Sequence, residues 1–197
     1  MQTTSNALTP KVREVTLTTK ASLEDRIHFA IIRFVHETVY GIFVDPYRRL
    51  IEAGLENGQR VLEVGCGPGF FTTPAAKIVD KTGYVYAVDI NPAAVEHVRR
   101  KVEQEGLRNV RVELADAAET GLASESIDMV FLFGVMLSFS DVSKVMREMH
   151  RVLRKNGILS VKSGMAKKEL LKTVCADKKF RFIEKRQRTF VFASNGN

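Results

Sequence analysis

Only two cysteines, Cys66 and Cys175, occur in the 197 residues. That is too few for a disulfide framework or a metal cluster, and no metal site is expected. No apolar run approaches the roughly 20 residues needed to cross a bilayer. The N-terminal MQTTSNALTP lacks the charged-then-apolar pattern of a secretory signal, so a cytoplasmic location is expected. Internal repeats and low-complexity tracts are also missing, and the chain is too short for two comfortable domains. What the composition leaves is one globular unit with a real core.

Charge is present but unevenly spread. The net charge is +7, yet Lys144 to Arg188 holds 15 Lys and Arg against 4 Asp and Glu, which leaves a net −4 elsewhere. Such asymmetry has two readings: an anionic partner such as RNA or an acidic membrane surface, or solvated basic faces on helices and edge strands, where lysine discourages edge pairing.

The order of elements follows from periodicity and punctuation. Residues 1–20 are Thr-rich without helical periodicity and read as an arm. Ser22 offers an N-cap with Asp25 three residues later, and Leu23, Ile27, Ala30, Ile31, Phe34 and Val35 follow at helical spacing. Those apolar residues predict an amphipathic helix that covers a surface. Asp45-Pro46 caps a second helix that Gly54 stops. Residues 21–56 are thus expected to form an N-terminal helical lid, and residues 57–197 the main domain. From Arg60 strands alternate with helices. The strand candidates are Val61 to Val64, Tyr84 to Val88, Val110 to Leu114, Ile127 to Phe133 and Ile158 to Val161. Helices are expected over about Phe71 to Val79, Pro92 to Glu105 and Val142 to Lys155, the last stopped by Asn156-Gly157. Continuous apolar strands in this alternation imply a doubly wound, mostly parallel α/β sheet. After a short helix from Lys167, two β-type runs, Phe180 to Lys185 and Thr189 to Ala193, are too close for a crossover and predict an antiparallel hairpin.

The chain is organised around RVLEVGCGPGFF, Arg60 to Phe71. Val61 to Val64 leads into Gly65, Gly67 and Gly69, a strand, tight turn and helix where a ligand can approach the backbone closely. A dinucleotide turn would need glycine at the sixth position, which here is Phe70. Glu63, two residues before Gly65, would repel a pyrophosphate. No Gly-Lys-Ser/Thr follows for a phosphate loop, so a ligand with an amine-bearing end suits the turn better. Asp89 ends the second strand, 24 residues after Gly65, where an acid can accept from both hydroxyls of a ribose. Ile90 beside it offers an apolar surface to a purine, and Asp116, after the third strand, could accept from an adenine amino group.

At these residues the sequence resembles the class I S-adenosylmethionine-dependent methyltransferases. The matching segments are VLEVGCGPGFFT, YAVDINP, ELADAAE, IDMVFLFGVM and EMHRVLRKNGILSV, in the family's order over about Arg60 to Val161. The likeness is greatest to the small UbiE-like group (methyltransferase domain 11/25), which acts on quinones and other small molecules. The resemblance implies a Rossmann-like sheet of seven strands, order 3-2-1-4-5-7-6, with S-adenosyl-L-methionine over the carboxyl ends of strands 1 and 2. By position, Glu63, Gly65, Cys66 and Gly67 would hold the methionine part, Asp89 the ribose, Ile90 and Ala117 the adenine faces, and Asp116 the adenine amine. Phe133 and Gly134, with Met136 beyond them, would border the methyl and the acceptor.

Acceptor motifs are largely missing. Phe131-Leu132-Phe133-Gly134 stands where base-amino methyltransferases carry Asp/Asn-Pro-Pro-aromatic. Neither cysteine has a Pro-Cys setting, and Val135 to Phe139 lacks the histidine common in the group. If the lid covers the cofactor, His36 and Tyr40 are the candidates for catalysis, and Tyr40 and Phe43 for the acceptor pocket. His97 is expected to be solvated, His150 to pack or cap, and Asp128 to be structural. The expected activity is methyl transfer to a small or lipophilic acceptor. Two alternatives remain open: a nicotinamide-dependent oxidoreductase, and a non-catalytic cofactor-binding module that docks on RNA or an acidic membrane through the basic segment.

Overall fold

The computed structural model describes residues 20–35, 38 and 44–196. Most of the expected arm lies outside the described residues, as do His36, Tyr40 and Phe43. Helix α1 (Leu23–Val35) starts at a reciprocal cap. The Asp25 N–H donates to Ser22 Oγ at 3.1 Å, and the Ser22 N–H donates to Asp25 Oδ2 at 2.8 Å. Helix α2 (Pro46–Glu52) starts where Asp45 Oδ1 accepts from the N–H groups of Tyr47 and Arg48. Such a cap is worth about 1 kcal/mol.

Seven strands then form one sheet. Strands β1 (Arg60–Val64), β2 (Tyr84–Asp89), β3 (Val110–Leu114), β4 (Ile127–Phe133) and β5 (Leu153–Lys162) are parallel, while β6 (Phe180–Arg186) and β7 (Thr189–Ser194) close the edge as an antiparallel hairpin. The order is β3-β2-β1-β4-β5-β7-β6, as expected. Between the strands run α3 (Thr72–Val79), α4 (Pro92–Gln104), α5 (Val142–Val152) and α6 (Lys167–Val174). Alternate residues of the central strands serve opposite faces. Leu62, Val64, Leu132 and Val161 join Met149, Val152 and Leu170 of α5 and α6. Val61, Val85, Met129 and Phe131 join Leu50, Ala75 and Val79 of α2 and α3, and Ala87 and Val112 meet Val95 and Val98 of α4. Each such Val, Leu, Met or Phe side chain contributes roughly 1.5–3 kcal/mol by leaving water, so the central strands are anchored from both sides. Among the described residues no helix is long and apolar enough to cross a membrane, and no group of three His, Cys, Asp or Glu is placed to hold a metal.

Three expectations are corrected. The helix predicted to run to Lys155 ends at Val152, and Leu153 already pairs with Ile127 as the first residue of β5. Leu153 is fully buried, and Arg154 reaches Asp128 at 2.7 Å. Core burial and this ion pair draw the chain into the sheet early. Asn156, at φ +61°, and Gly157 then form an irregularity inside β5 instead of a helix stop. The apolar face of α1 is also reversed. Leu23 and Phe34 are 74% and 68% exposed, with Ile27 and Ile31 beside them, while Phe29 is buried against the ring of His97 at 5.2 Å. His97 is therefore packed rather than solvated. The helix sits on the corner between β2 and α4, and the groups that meet it there are Asn91 and His97.

Two polar residues behave as structural anchors. Asp128 accepts the Arg60 N–H at 2.7 Å and so ties β1 to β4. Buried Glu148 accepts from the Thr120 N–H at 2.9 Å, from Thr120 Oγ1 at 2.6 Å and from Arg151 Nε at 2.7 Å. Burial opposes ionisation of Glu148, but Arg151 and Thr120 together outweigh it and hold the carboxyl below its ordinary range.

Candidate functional site

A cavity of about 560 Å³ opens at the carboxyl ends of β1, β2 and β4, under α1. Its floor is the glycine turn. Gly65 (φ +75°) and Gly67 (φ +49°) adopt backbone conformations that side-chain-bearing residues resist. A Cβ at Gly65 would lie 2.5 Å from Val135 Cγ1, so the turn passes close beneath the segment after β4.

Two carboxyl groups face this floor, held in different ways. Glu63 is buried, and Thr72 Oγ1 of α3 donates to its Oε2 at 2.6 Å. Burial, partly opposed by that hydrogen bond and reinforced by the Asp89 charge, pushes Glu63 up to about 8. Asp89 accepts the Gly67 N–H at 2.8 Å on Oδ2 and the Asn91 N–H at 2.9 Å on Oδ1. Burial raises its pKa, against the pull of these backbone donors. Each Asp89 oxygen is thereby aimed, with a second lone pair left for a ligand hydroxyl. Cys66 is buried, and burial with the neighbouring acids drives its thiol pKa upward. It remains an uncharged small packing residue.

Most of the residues singled out in the sequence meet here. Glu63, Gly65, Cys66, Gly67, Asp89, Ile90, Ala117, Phe133 and Gly134 all line the cavity. Two do not. Asp116 is exposed between the lining residues Ala115 and Ala117, with its Oδ1 accepting the Ala118 N–H at 2.7 Å. Met136 is buried in the core between the sheet and α5 rather than in the acceptor pocket, because the turn after β4 sends it inward. Val135, Ser138 and Phe139 reach the cavity in its place.

The structure adds residues the sequence reading passed over. From α1 come Asp25, His28, Phe29 and Ile32, one helical face at spacings of three and four. That period was legible, but the larger apolar residues on the other face obscured it. Asn91 Nδ2 donates to the Asp25 carbonyl at 3.1 Å and fastens α1 to the start of α4. Phe70, Phe71, Phe131 and Phe133 form a continuous aromatic wall, with neighbouring ring centroids 4.9 to 5.1 Å apart. Phe70, the residue that breaks the dinucleotide pattern, belongs to this wall. Lys162, at the end of β5, closes the far side.

The chemistry of the donors fits one cofactor. Glu63 as its carboxylate suits an ammonium, a fixed acid with two open lone pairs suits a ribose diol, and Lys101, the cation at the turn, donates to the Gly69 carbonyl at 3.1 Å and does not line the cavity. With the strand order, these features define a class I S-adenosylmethionine-dependent methyltransferase domain. The family described as Methyltransferase domain matches residues 55–196, and the chain belongs to that family. It is 38% identical over 89 residues to the aklanonic acid methyltransferase DauC of a Streptomyces species, covering 45% of this chain and 40% of that one. It is 32% identical over 110 residues to the ubiquinone/menaquinone biosynthesis C-methyltransferase UbiE of Haemophilus ducreyi, covering 55% and 42%. The chain thus spans about half or less of the length of these curated relatives. Among solved structures, a SAM dependent methyltransferase from Aquifex aeolicus superposes with a TM-score of 0.71 at 26% identity, covering 84% of this chain and 97% of that one.

Proposed function

We propose that the protein transfers a methyl group from S-adenosylmethionine to a small, lipophilic acceptor, with α1 as a lid. The observation that carries this reading is the continuity of the cavity. The same cavity is lined by Glu63, Gly67 and Asp89 and, starting at Phe131 beside Glu63 on the neighbouring strand, by the aromatic wall with Gly134, Val135 and Phe139. The cofactor supplies an electrophilic methyl on a sulfonium, open to in-line attack. Glu63 and the Gly65–Gly67 backbone hold the amino-acid end, Asp89 holds the ribose, Ile90 and Ala117 flank the adenine, and Asp116 meets its amine from the rim. The Phe133–Gly134 junction positions the acceptor. Orientation of two held reactants accounts for most of the barrier reduction such a site must supply, and the aromatic wall with Phe29 and Ile32 of α1 keeps water from the reacting centre. The relatives named for aklanonic acid and for quinones favour a lipophilic acceptor.

The test is calorimetric titration with S-adenosylhomocysteine, then methyl transfer from labelled cofactor to a panel of quinols and aromatic acids. Micromolar binding that collapses in Asp89→Ala, with label entering at least one acceptor, is the expected result. Absence of cofactor binding to the folded protein refutes the reading.

A further inference from the structure

The carboxyl end of the sheet carries two unlike features, an apolar helix face and a set of exposed cations. Helix α1 lies across that end. Its inner face, with Asp25, His28, Phe29 and Ile32, lines the cavity, and Ile32 Cγ2 lies 4.0 Å from where a Cβ on Gly67 would stand. At about 100° per residue, Leu23, Ile27, Ile31 and Phe34 fall on the opposite side of the helix, and all four are exposed. The apolar surface continues at the cavity mouth. Ile90, which lines the cavity just after β2, is exposed, and so is Leu137, between the lining residues Val135 and Ser138. A domain standing alone in water gains nothing by presenting so much aliphatic surface at one end.

The cations follow from the topology. Strand β7 is antiparallel to β5, and β6 is antiparallel to β7, so β6 finishes at the same end of the sheet as β5. Lys185 and Arg188 thus flank the β6–β7 turn at the carboxyl end. Lys167 and Lys168 open α6 shortly after β5 ends at Lys162. All four cationic residues are exposed.

These features together select the occupant. Exposed leucine and isoleucine side chains have no role against RNA, whose bases call for stacking platforms. A second copy joined through this end would set the same cations against one another. An anionic lipid surface satisfies both features, with hydrocarbon for the helix face and headgroup phosphates for the lysines. We infer that the carboxyl-end face docks on an anionic lipid bilayer, with the outer side of α1 at the headgroup boundary and Lys167, Lys168, Lys185 and Arg188 on the headgroups. The cavity mouth, rimmed by Ile90 and Leu137, then opens toward lipid. That a lipophilic acceptor enters from the bilayer rests on the function proposed above; the docking itself does not.

The test is co-sedimentation of the full chain with vesicles of phosphatidylcholine and phosphatidylglycerol in equal parts, against phosphatidylcholine alone. Partitioning is expected to be at least tenfold stronger into the anionic vesicles and to weaken as salt is raised. Ile27→Gln with Ile31→Gln should lower it at least tenfold, and Lys167→Glu with Lys168→Glu should remove most of the preference for anionic lipid. Both variants should keep S-adenosylhomocysteine affinity within about twofold, which also shows that they fold. Failure of the unmodified protein to bind anionic vesicles, or undiminished binding by the Ile27→Gln, Ile31→Gln variant, overturns the inference. So does a dimer in ultracentrifugation that this variant dissociates, or binding to single-stranded RNA in place of vesicles. Vesicle binding by a protein that does not bind S-adenosylhomocysteine would uphold the docking and overturn the methyltransferase reading alone.

Discussion

Replacing Glu63 with glutamine separates the two jobs that one buried carboxyl performs. With a pKa of about 8 in the ligand-free protein, roughly nine in ten Glu63 side chains are protonated at pH 7, since each pH unit is a factor of ten. An ammonium placed against Glu63 needs the carboxylate, so cofactor binding should release about 0.9 proton at pH 7 and about 0.5 at pH 8. Calorimetry in buffers of different ionisation enthalpy reads that number directly. Glu63→Gln keeps an acceptor for Thr72 but has no proton to lose, so its proton release should fall by the same amount. Stability moves the other way. The folded state holds a proton that the unfolded chain surrenders between about pH 4.5 and 8, so wild-type stability declines across that window. At 1.36 kcal/mol per pH unit the ceiling is about 5 kcal/mol. Ligand-free Glu63→Gln should therefore gain stability over wild type as pH rises from about 5 to 8, measured by urea unfolding. Equal proton release by both proteins at pH 7, together with unfolding free energies that run parallel across the range, would refute the assignment of a neutral, buried Glu63.

Further outcomes follow from the same geometry. Gly65→Ala places a Cβ 2.5 Å from Val135 Cγ1 at φ +75°, so it should cost about 2–4 kcal/mol in chemical denaturation and abolish cofactor binding; a variant as stable as wild type would show that the turn is not constrained. Phe29→Ala removes the ring that docks α1 on His97. It should speed S-adenosylhomocysteine dissociation about fivefold to tenfold in stopped flow, the equivalent of roughly 1 kcal/mol for the lost ring pair, with little change in global unfolding. Glu148→Gln weakens the Arg151 and Thr120 network and should cost about 2 kcal/mol at pH 7. Because the folded carboxyl titrates below its ordinary value, that difference should shrink as pH falls through the acid range.

The parallel core was legible because β1, β2 and β4 are buried on both faces and read as mostly continuous apolar runs, and because Asn91-Pro92 and Asp45-Pro46 punctuate the helices that follow them. The cofactor half of the site was legible for a related reason. Backbone conformation at Gly65 and Gly67, and the strand-end position of Asp89, are local properties that spacing reports. The acceptor half was not. Lys162 reaches the cavity only through its pairing with Phe133 across 29 residues of chain, and nothing local to Val161-Lys162-Ser163 signals it. The end of α5 was misjudged because Asn156-Gly157 is a sound turn signal that serves a strand irregularity equally well. The orientation of α1 was misjudged because the rule that larger apolar residues face inward does not hold for a helix seated on a polar corner and a ligand cavity.

That inverted helix bears on turnover. Leu23, Ile27, Ile31 and Phe34 face outward, so most of the apolar surface of α1 does nothing to press it onto the domain. Its contacts with the domain include Phe29, Ile32 and a hydrogen bond from Asn91, contacts worth on the order of a few kcal/mol. If α1 acts as the lid proposed above, spent cofactor would leave by lifting one helix while the sheet stays whole, and exchange would be a local opening, uncoupled from the global stability of the fold.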